Sequence, residues 1–506
     1  MRSGAWLLLA LAFGSSATAQ VVVTVDVTHA VRTVNTHPFG INTAIWDDQF
    51  ISPVTEDVLR RMRAGMLRFP GGGASDEYHW STNRSENSAF TWPADFNTFA
   101  RTATALGVDV MITTNYGTGS AEEAAAWVQS ANITSGRRYR YWEIGNEVYG
   151  SWETDRRTRP HDAWTYAVAA SNYIVQMKRV DPSIRIGIPA VPGEDSFANY
   201  DDEVVTNPRT GSVHKGWTPL VLSRMRELGT LPDFLSYHRY EQEPFEEDDQ
   251  RLLNAASMWT SDIASLRQML TDYARGGGDA IEILCTENNS VSSHPGKQTV
   301  SLVNALYLAD SLGQSLQTEV GTVLWWDLRN GNESMNNNSP ALFGWRVYGD
   351  YGVLAPANER YPTSYLAEIF AAFARPGDTV IGATSNLTSL SAYAVKRADG
   401  DSRLVSTLNS ISGSPISNLE SPISSVAILL INKNRDQAVD VAIRFIGFNP
   451  ANGDMPMLSY GMSNDIAQSE IARSNVRLTA VRADPYSARV IVVPQASGRR
   501  RAVGRH

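Results

Sequence analysis

Short apolar runs alternate with longer amphipathic stretches along most of the chain, from about residue 39 to residue 361. Each run is rich in β-branched and aromatic residues, and each following stretch has the three-to-four-residue spacing of an amphipathic helix. The pattern therefore predicts eight strand-then-helix units. The apolar runs are FGINTAIW (39–46), MLRFPGGG (66–73), VDVMITTNYG (108–117), YWEIGNE (141–147), IRIGIPA (184–190), DFLSYHRY (233–240), IEILCTENN (281–289) and GTVLWWDLRN (321–330).

The eight predicted strands are nearly continuous apolar runs, which is typical of parallel strands that other layers cover on both faces. Eight such units are what a (β/α)8 barrel requires, so we expect an α/β fold of the TIM-barrel type. A doubly wound open sheet is the competing architecture. That fold carries a glycine-rich phosphate turn after its first strand, where this chain reads TAIWDDQF.

The pattern changes after about residue 375, where strand-like runs are separated by Gly, Asn, Pro and Ser. These runs predict a C-terminal all-β sandwich. The segment at 21–35 is also strand-like, and we expect it to pair into the sandwich, because a free strand would expose an adhesive edge. The expected parts are an N-terminal strand at 20–35, a barrel at 36–375 and a sandwich at 376–497. The C-terminal runs are TVIGATSNL, LSAYAVKR, SRLVSTLNS, VAILLINKN, VDVAIRFIG, VRLTAVR and ARVIVVP.

The two ends of the chain differ from the rest. Residues 1–19 combine a basic residue, an apolar stretch too short to span a bilayer and a small-residue Ala17-Thr18-Ala19 end. They predict a signal peptide, and hence a secreted or periplasmic protein. Residues 498–506 carry four arginines, and we expect a disordered basic tail.

Composition excludes several classes of protein. The chain has 506 residues, of which 42% are hydrophobic and 19% charged, so it is long enough for one large domain and a smaller one. The formal charge is −9, and without the five arginines of the two ends the rest carries −14. An acidic body disfavours nucleic acid or an anionic membrane as partner. No later segment has the length of a membrane span, and the oligomeric state is left open.

Two glutamates follow predicted strands at positions where barrel enzymes place reactive groups. Glu147 ends the fourth predicted strand beside Asn146, and Glu287 ends the seventh beside two further asparagines. A single glutamate at a strand end is more often structural. Two at one barrel mouth suit glycoside hydrolysis, where one carboxyl protonates the leaving oxygen and the other attacks the anomeric carbon or activates water.

Polar residues at other strand ends are expected near this pair. Tyr237, His238 and Tyr240 end the sixth strand, and an imidazole or tyrosine hydroxyl there could hydrogen-bond Glu287 and keep it ionised. Glu147 would then be the group whose acid form persists, helped by its apolar neighbours.

A buried arginine needs partners, and Arg68 ends the second predicted strand. The available partners are Glu147, Glu143 or a substrate hydroxyl. We expect Glu143 to point into the barrel from the same strand as Glu147, with Arg68 as its cation, and Glu153 to be solvated in the following loop.

Aromatic residues at the strand ends could stack on sugars. They are Trp46, after the first predicted strand, and Trp325 and Trp326, of which we expect one to point into the site and the other away. Cys285, the only cysteine, is expected on the strand face of Glu287 as an inert buried thiol. Because the chain has no HExxH, paired-cysteine or GxSxG motif, no metal, cofactor or serine nucleophile is expected.

The order of several motifs resembles the retaining glycoside hydrolases of clan A, and most of all the α-L-arabinofuranosidases of family 51. The motifs are FGIN at 39, LRFPGG at 67, NYGTGSAEEAAAWVQSAN at 115, WEIGNE at 142, SYHRY at 236, TENN at 286, INKN at 431 and DPYSARVIVV at 484. The chain departs from the family pattern at Gly73-Ala74-Ser75, where an Asn usually follows Pro-Gly-Gly, and at Glu287-Asn288-Asn289, where Glu-Trp-Asn is common.

The resemblance implies a retaining mechanism with Glu147 as acid/base and Glu287 as nucleophile. It implies that Asn146 binds the sugar hydroxyl beside the anomeric centre. The other residues expected to bind substrate are Arg68, His238, Tyr240, Trp326, Trp46 and Asn115.

Our main hypothesis is therefore a secreted retaining α-L-arabinofuranosidase that removes arabinofuranosyl groups from plant polysaccharide, with a carbohydrate polymer or oligosaccharide as partner. One alternative is a β-glycanase or another furanosidase of the same clan, which would have an open cleft with several aromatic subsites. A third hypothesis, from another class, is a non-catalytic carbohydrate-binding protein.

Overall fold

The computed structural model describes residues 20–398 and 424–496. The expected signal peptide (1–19), the predicted strand SRLVSTLNS and the expected tail (498–506) lie outside the described residues. The strands are β1 (Val21–Thr33), β2 (Gly40–Asn42), β3 (Met66–Phe69), β4 (Tyr78–His79), β5 (Arg84–Ser85), β6 (Asp109–Thr114), β7 (Tyr141–Ile144), β8 (Arg185–Ala190), β9 (Val205–Thr206), β10 (Val213–His214), β11 (Phe234–Gln242), β12 (Glu282–Val291), β13 (Val323–Trp325), β14 (Thr379–Ser385), β15 (Leu390–Lys396), β16 (Ser425–Asn432), β17 (Val439–Ile446), β18 (Met455–Gly461), β19 (Ala472–Val476), β20 (Val481–Ala483) and β21 (Ser487–Pro494).

The helices follow the barrel strands in the predicted alternation. Each of the first four helices is preceded by a Ser or Asp whose side chain accepts a hydrogen bond from a backbone N–H of the first turn. This cap marks the point where the loop ends and the helix begins. The helices are α1 (Pro53–Met62), α2 (Phe96–Leu106), α3 (Ala121–Val128), α4 (Ala163–Val180), α5 (Trp217–Leu228), α6 (Asp249–Asn254), α7 (Trp259–Met269), α8 (Leu302–Ser315), α9 (Pro362–Phe373) and α10 (Met462–Ala467).

Eight parallel strands close into a barrel in the order β2-β3-β6-β7-β8-β11-β12-β13. Each contains part of one of the eight predicted apolar runs, so the predicted TIM barrel is confirmed. The lower interior is filled by apolar side chains, which makes it a packed core and leaves the polar residues to the other end of the strands. These core residues are Met66, Met111, Phe234, Leu284 and Leu324.

A nine-stranded, mostly antiparallel sheet forms the second layer, in the order β19-β18-β21-β16-β15-β14-β1-β17-β20. The N-terminal strand β1 pairs antiparallel with β14 and parallel with β17, as the fold prediction expected. One apolar cluster contains side chains from β18 and β20, near opposite ends of this order. The sheet therefore folds over its own core like a sandwich.

The sheet packs against the outer helices of the barrel. The rings of Tyr365 (α9) and Tyr460 (β18) stack with centroids 4.7 Å apart. The hydroxyl of Tyr393 in β15 donates a 2.7 Å hydrogen bond to the buried Asp310 of α8, and Lys433 pairs with the same carboxylate at 3.1 Å. A Cβ atom on Gly313 of α8 would lie 2.4 Å from the Tyr393 ring, so close packing here needs glycine. In the described part of the chain, none of the helices combines the length and apolar character needed to cross a bilayer.

The contact between Tyr393 and Asp310 gives a stability prediction. Tyr393→Phe removes the hydroxyl but keeps the ring, so it should lower the free energy of unfolding by about 1–3 kcal/mol, because the buried carboxylate loses a donor. Urea unfolding measures this. The matched control is Tyr200→Phe, whose exposed hydroxyl donates only to a surface carbonyl. Equal stability of the two variants would contradict this description of the interface.

Candidate active site

Arg68, at the upper end of β3, is fully buried and contacts four polar residues. Its guanidinium donates to Glu143 at 2.8 Å, Glu287 at 2.7 Å and Asn146 at 2.8 Å, and to the Oδ1 atom of Asn42 at 3.0 Å. These partners come from other strands of the barrel or the loops that follow them. The expected pairing of Arg68 with Glu143 is confirmed, and Arg68 also links this pair to Glu287.

Glu143 is enclosed inside the barrel. Besides Arg68, it accepts hydrogen bonds from the hydroxyls of Thr113 at 2.7 Å, Ser236 and Thr286. Burial alone would raise the pKa of its carboxyl, but the Arg68 charge and these donors outweigh burial and lower it. Glu143 is therefore a buried anion that balances Arg68, with no solvent-exposed surface.

Glu287 reaches the barrel mouth because β12 contains a bulge. Tyr237 and His238, neighbours in β11, lie opposite Cys285 and Glu287, so Thr286 is an extra residue. Thr286 points inward to Glu143, while Cys285 packs in the layer between the barrel and its helices. The expectation that Cys285 and Glu287 share a strand face is therefore wrong. A bulge of this kind re-aims the side chain that follows it, as is common beside active sites.

Two donors bind the Glu287 carboxylate from different strands. Arg68 donates to Oε1, and the hydroxyl of Tyr240 donates to Oε2 at 2.6 Å. The side chain is only 6% exposed. Of the two groups expected to contact Glu287, the tyrosine donates to it directly, whereas the His238 ring is 3.6 Å away and turns to Glu147.

Glu147 lies three residues beyond the end of β7, in a loop, so the expectation that it shares a strand with Glu143 is wrong. Its φ of 40° is in the left-handed region that few residues other than glycine adopt. Nδ1 of His238 lies 2.8 Å from its Oε1, and Trp152 Nε1 and the Tyr149 hydroxyl donate at 2.8 and 3.2 Å. The loop thus presents this carboxyl to a ring of donors.

The protonation expected for Glu147 is not what this environment favours. Burial would raise the pKa of its carboxyl, but the donors, His238 first, outweigh burial and lower it. Burial opposes protonation of His238, yet the Glu287 charge and the bond to Glu147 raise the pKa of the imidazole. The apolar neighbours therefore do not keep Glu147 protonated by themselves. The two pKa shifts favour His238 as the group of this pair that carries the proton. The other ring nitrogen of His238, Nε2, can donate to Thr286 Oγ1, 3.0 Å away.

Asn146 is fixed at three points beside this pair. Its backbone N–H donates to the buried Asp76 at 2.9 Å, its Oδ1 accepts from Arg68, and its Nδ2 donates to Glu153 at 2.9 Å. The expectation that Glu153 is a solvated loop residue holds only in part, because its side chain is partly exposed while its carboxyl bonds to Asn146.

Aromatic rings border the site near β13. Trp326 lies in a small cluster with Val291 and Tyr351, packed against Tyr240, and meets Trp46 edge-on at 6.2 Å. Trp325 instead packs against Tyr307 of α8 in the main core. One tryptophan of the pair faces the site and the other faces away, as expected.

Asn115 does not join the site. Its Oδ1 accepts from the backbone N–H groups of Thr118 and Gly119, and its Nδ2 donates to Thr118 and to the carbonyl of Tyr78. Both atoms of the amide are thus used to close a turn after β6. The expected role in substrate binding is not supported by this placement.

A cavity of about 840 Å³ opens beside Glu147 and His238. Its lining includes the exposed ring of Trp152, the ring of Phe197 and the hydroxyls of Ser292 and Ser293. Glu287 does not line it, so the cavity lies on the Glu147 side of the carboxyl pair.

Glu147, His238 and Glu287 form the one group, among the described residues, whose potential metal-ligand atoms all lie within 4.8 Å of one another. One oxygen of each glutamate is therefore within 4.8 Å of the other carboxylate. The expectation that no metal takes part stays a prediction. The arrangement offers a proton donor pair, Glu147 with His238, close to the Glu287 carboxyl that Arg68 and Tyr240 bind.

Sequence comparisons find remote relatives. No protein-family model matches the chain. Alpha-L-arabinofuranosidase C of Emericella nidulans is 26% identical over 192 residues, which is 33% of this chain and 37% of that protein. Exo-alpha-(1->6)-L-arabinofuranosidase of Bifidobacterium longum is 23% identical over 189 residues, 31% of this chain and 35% of that protein. The chain thus spans about a third of the length of the curated relatives it matches.

Solved structures share the fold over 94% of this chain. An alpha-L-arabinofuranosidase from Thermotoga maritima has a TM-score of 0.65 at 18% identity, and a family 51 enzyme from Bifidobacterium longum has 0.66 at 14%; both are covered completely. A family 44 xyloglucanase from Paenibacillus polymyxa, also completely covered, has 0.64 at 12%. The fold is thus that of glycoside hydrolases with several substrates, and the resemblance to arabinofuranosidases rests on the sequence matches.

The Arg68 network gives a second stability prediction. Arg68→Met leaves two buried carboxylates without their cation and should lower the free energy of unfolding by about 3–5 kcal/mol. Lys215→Met, which breaks an exposed pair with Asp201, is the control and should cost less than about 1 kcal/mol. Urea unfolding of both variants measures the difference. Similar small losses would mean that the buried cation does not hold the site together.

Proposed function

We propose that this chain is a glycoside hydrolase that acts through Glu147 and Glu287. The observation that carries the proposal is the short distance between these two carboxyl groups, within 4.8 Å, at the mouth of a (β/α)8 barrel. Glycoside hydrolysis needs two carboxyl groups that flank one bond and differ in protonation. Glu147 meets this requirement together with His238, which supplies the proton, whereas Glu287 is bonded by Arg68 and Tyr240.

Glu287 is proposed as the nucleophile. Arg68 donates to one of its oxygens and the Tyr240 hydroxyl to the other, and the carboxylate so held is the group that would attack the anomeric carbon. Both donors also fix the orientation of the carboxylate, so that little rearrangement precedes the attack.

Glu147 is proposed as the acid/base, with His238 as its proton partner. In the first step the proton shared by Glu147 and His238 passes through the Glu147 carboxyl to the leaving oxygen. Glu287 meanwhile forms a bond to the anomeric carbon as the bond to the leaving oxygen breaks. In the second step water attacks the anomeric carbon, the bond to Glu287 breaks, and Glu147 takes a proton from the water. The raised pKa of His238 keeps a proton available to this pair.

The spacing of the carboxyl groups supports double displacement with retention. Retaining enzymes hold these groups about 5–5.5 Å apart, whereas inverting enzymes leave about 6.5–9.5 Å to admit a water. One oxygen of Glu147 lies within 4.8 Å of one oxygen of Glu287, which favours the closer, retaining arrangement.

The proposed substrate is an α-L-arabinofuranosyl group on a plant polysaccharide. Support comes from the names of the sequence relatives, which are arabinofuranosidases. Because the acid protonates the leaving group, the cavity on the Glu147 side would hold that part of the substrate, and Trp152 and Phe197 offer rings for sugar stacking. Export to reach such a polymer, expected from residues 1–19, is part of this proposal.

A β-glycanase of the same clan is the second candidate, because structural neighbours include a xyloglucanase and a bifunctional glucanase-xylanase. Activity on a panel of aryl furanosides and pyranosides, together with arabinoxylan, separates the two. We expect turnover of the α-L-arabinofuranoside, release of arabinose from arabinoxylan and first-formed arabinose of retained configuration by NMR. Turnover of pyranosides alone would favour the glycanase, and turnover of none would favour a binding protein.

The roles of the two glutamates predict different kinetics. Glu287→Ala should abolish turnover of every substrate. Glu147→Ala should lower kcat/KM by about 10²–10⁴-fold for substrates with poor leaving groups, and much less for activated aryl glycosides, which need little protonation. Steady-state kinetics over a leaving-group series tests this. Equal losses by both variants on the activated substrate would contradict the assignment.

A further inference from the structure

Glu153 is a carboxyl group of this site to which the proposed reaction gives no role. It lies six residues after Glu147, and two consecutive turns connect them. Gly150 N–H donates to the Glu147 carbonyl at 2.7 Å, and Glu153 N–H donates to the Gly150 carbonyl at 3.1 Å. The Glu153 side chain then returns to accept a 2.9 Å hydrogen bond from Asn146. The Glu153 carboxyl therefore contacts the side chain of Asn146, the residue directly before the candidate acid/base Glu147.

Arg68 and Glu153 together fix the Asn146 amide, one at its oxygen and the other at its nitrogen. Arg68 can only donate, so the oxygen of the amide must face it, and Glu153 receives the Nδ2 end. One N–H of Nδ2 is used by Glu153. The second remains for a sugar hydroxyl, which is the contact proposed for Asn146. Without an acceptor at position 153, the Nδ2 end of the amide would lose its contact and Arg68 alone would hold the side chain.

The surroundings of Glu153 disfavour a negative charge. The largest charge effects on it come from three carboxyls: Asp76 in the turn after β3, Glu147 in its own loop and Glu287 in β12. Arg68 forms its hydrogen bond to Asn146 rather than to Glu153, and none of the described ion pairs includes Glu153. Gly73 supplies the space for this carboxyl, since a Cβ atom there would lie 2.6 Å from Glu153 Oε2.

Asp76 and Glu153 bind Asn146 together but differ in their donors. Asp76 accepts three backbone N–H bonds, from Asn146, Tyr116 and Gly117, which stabilise a carboxylate. Glu153 accepts one side-chain N–H bond. Burial and the neighbouring carboxylates raise the pKa of Glu153 to about 9. Burial also raises the pKa of Asp76, to about 8, so both carboxyls favour a proton and Glu153 holds it more strongly.

We propose that Glu153 works as a neutral carboxylic acid that positions Asn146, accepting the amide N–H through its carbonyl oxygen without adding a further negative charge beside Glu147 and Glu287. Glu153 is thus a positioning residue that acts through Asn146. Its effect on turnover rests on the proposed function, whereas its protonation does not.

Stability as a function of pH tests the protonation. In the unfolded chain Glu153 has the ordinary pKa of 4.5 and is ionised at neutral pH, whereas the folded protein holds it protonated. Folding then takes up a proton, so this group lowers stability as pH rises from about 4.5 to about 9. Glu153→Gln has no such loss. Its Tm relative to the parent protein should rise steadily between pH 5 and 8, by differential scanning calorimetry.

Kinetics tests the positioning. Glu153→Ala removes the acceptor and should lower kcat/KM by about tenfold to a hundredfold, as expected when a contact to the reacting sugar is misplaced. Glu153→Gln restores a carbonyl acceptor and should keep most of the activity. Glu77→Gln is the matched control, since Glu77 bonds to the adjacent Thr154 outside this group. It should change neither activity nor the pH dependence of Tm.

The outcomes separate this inference from the proposed function. A Tm difference between Glu153→Gln and the parent that stays flat with pH would overturn the neutral carboxyl, even in an active enzyme. Full activity of Glu153→Ala would overturn the positioning. If the parent hydrolyses no glycoside, the proposed function fails, while the calorimetric series still decides whether Glu153 is protonated.

Discussion

A buried guanidinium is the constraint on which the rest of the site depends. Arg68 has no exposed surface, and a charge without water must be paired and fully hydrogen-bonded. Glu143 provides that pairing from β7, Glu287 from β12, and Asn42 an amide oxygen from β2. These strands are separate in sequence and meet only when the barrel closes. The ion pairs that complete the fold therefore also orient the proposed nucleophile.

Four glutamates near this cation have four different surroundings. Glu143 is enclosed by hydroxyls, Glu287 is bonded by Arg68 and Tyr240, Glu147 faces an imidazole and an indole, and Glu153 has an amide N–H alone. In this account Glu143 is a counter-ion, Glu287 a nucleophile, Glu147 half of a proton donor pair and Glu153 a neutral acid. Separation of protonation states by environment is how a single kind of side chain supplies both acid and base chemistry at one pH.

Periodicity predicted the barrel well, because each strand and helix carries its own apolar pattern. The two central glutamates followed from strand ends, and the Arg68 partner from burial. The predictions that failed concerned side chains whose positions depend on contacts between distant segments. The bulge at Thr286 separates Cys285 from Glu287, a turn after β6 uses Asn115, and Asp76 and Glu153 approach each other through Asn146. The only signal for Asp76 was its place just after the glycines that follow β3.

The central claim is that Glu287 forms a covalent bond with the sugar. An aryl arabinofuranoside with fluorine at C2 tests it directly, because fluorine destabilises the cationic transition states while a good leaving group lets the first step proceed. Peptide mass mapping of the inactivated protein should find the fluoroarabinosyl group on Glu287. A label on another residue would contradict the mechanism. So would hydrolysis that releases a sugar of inverted configuration and leaves no label on the protein.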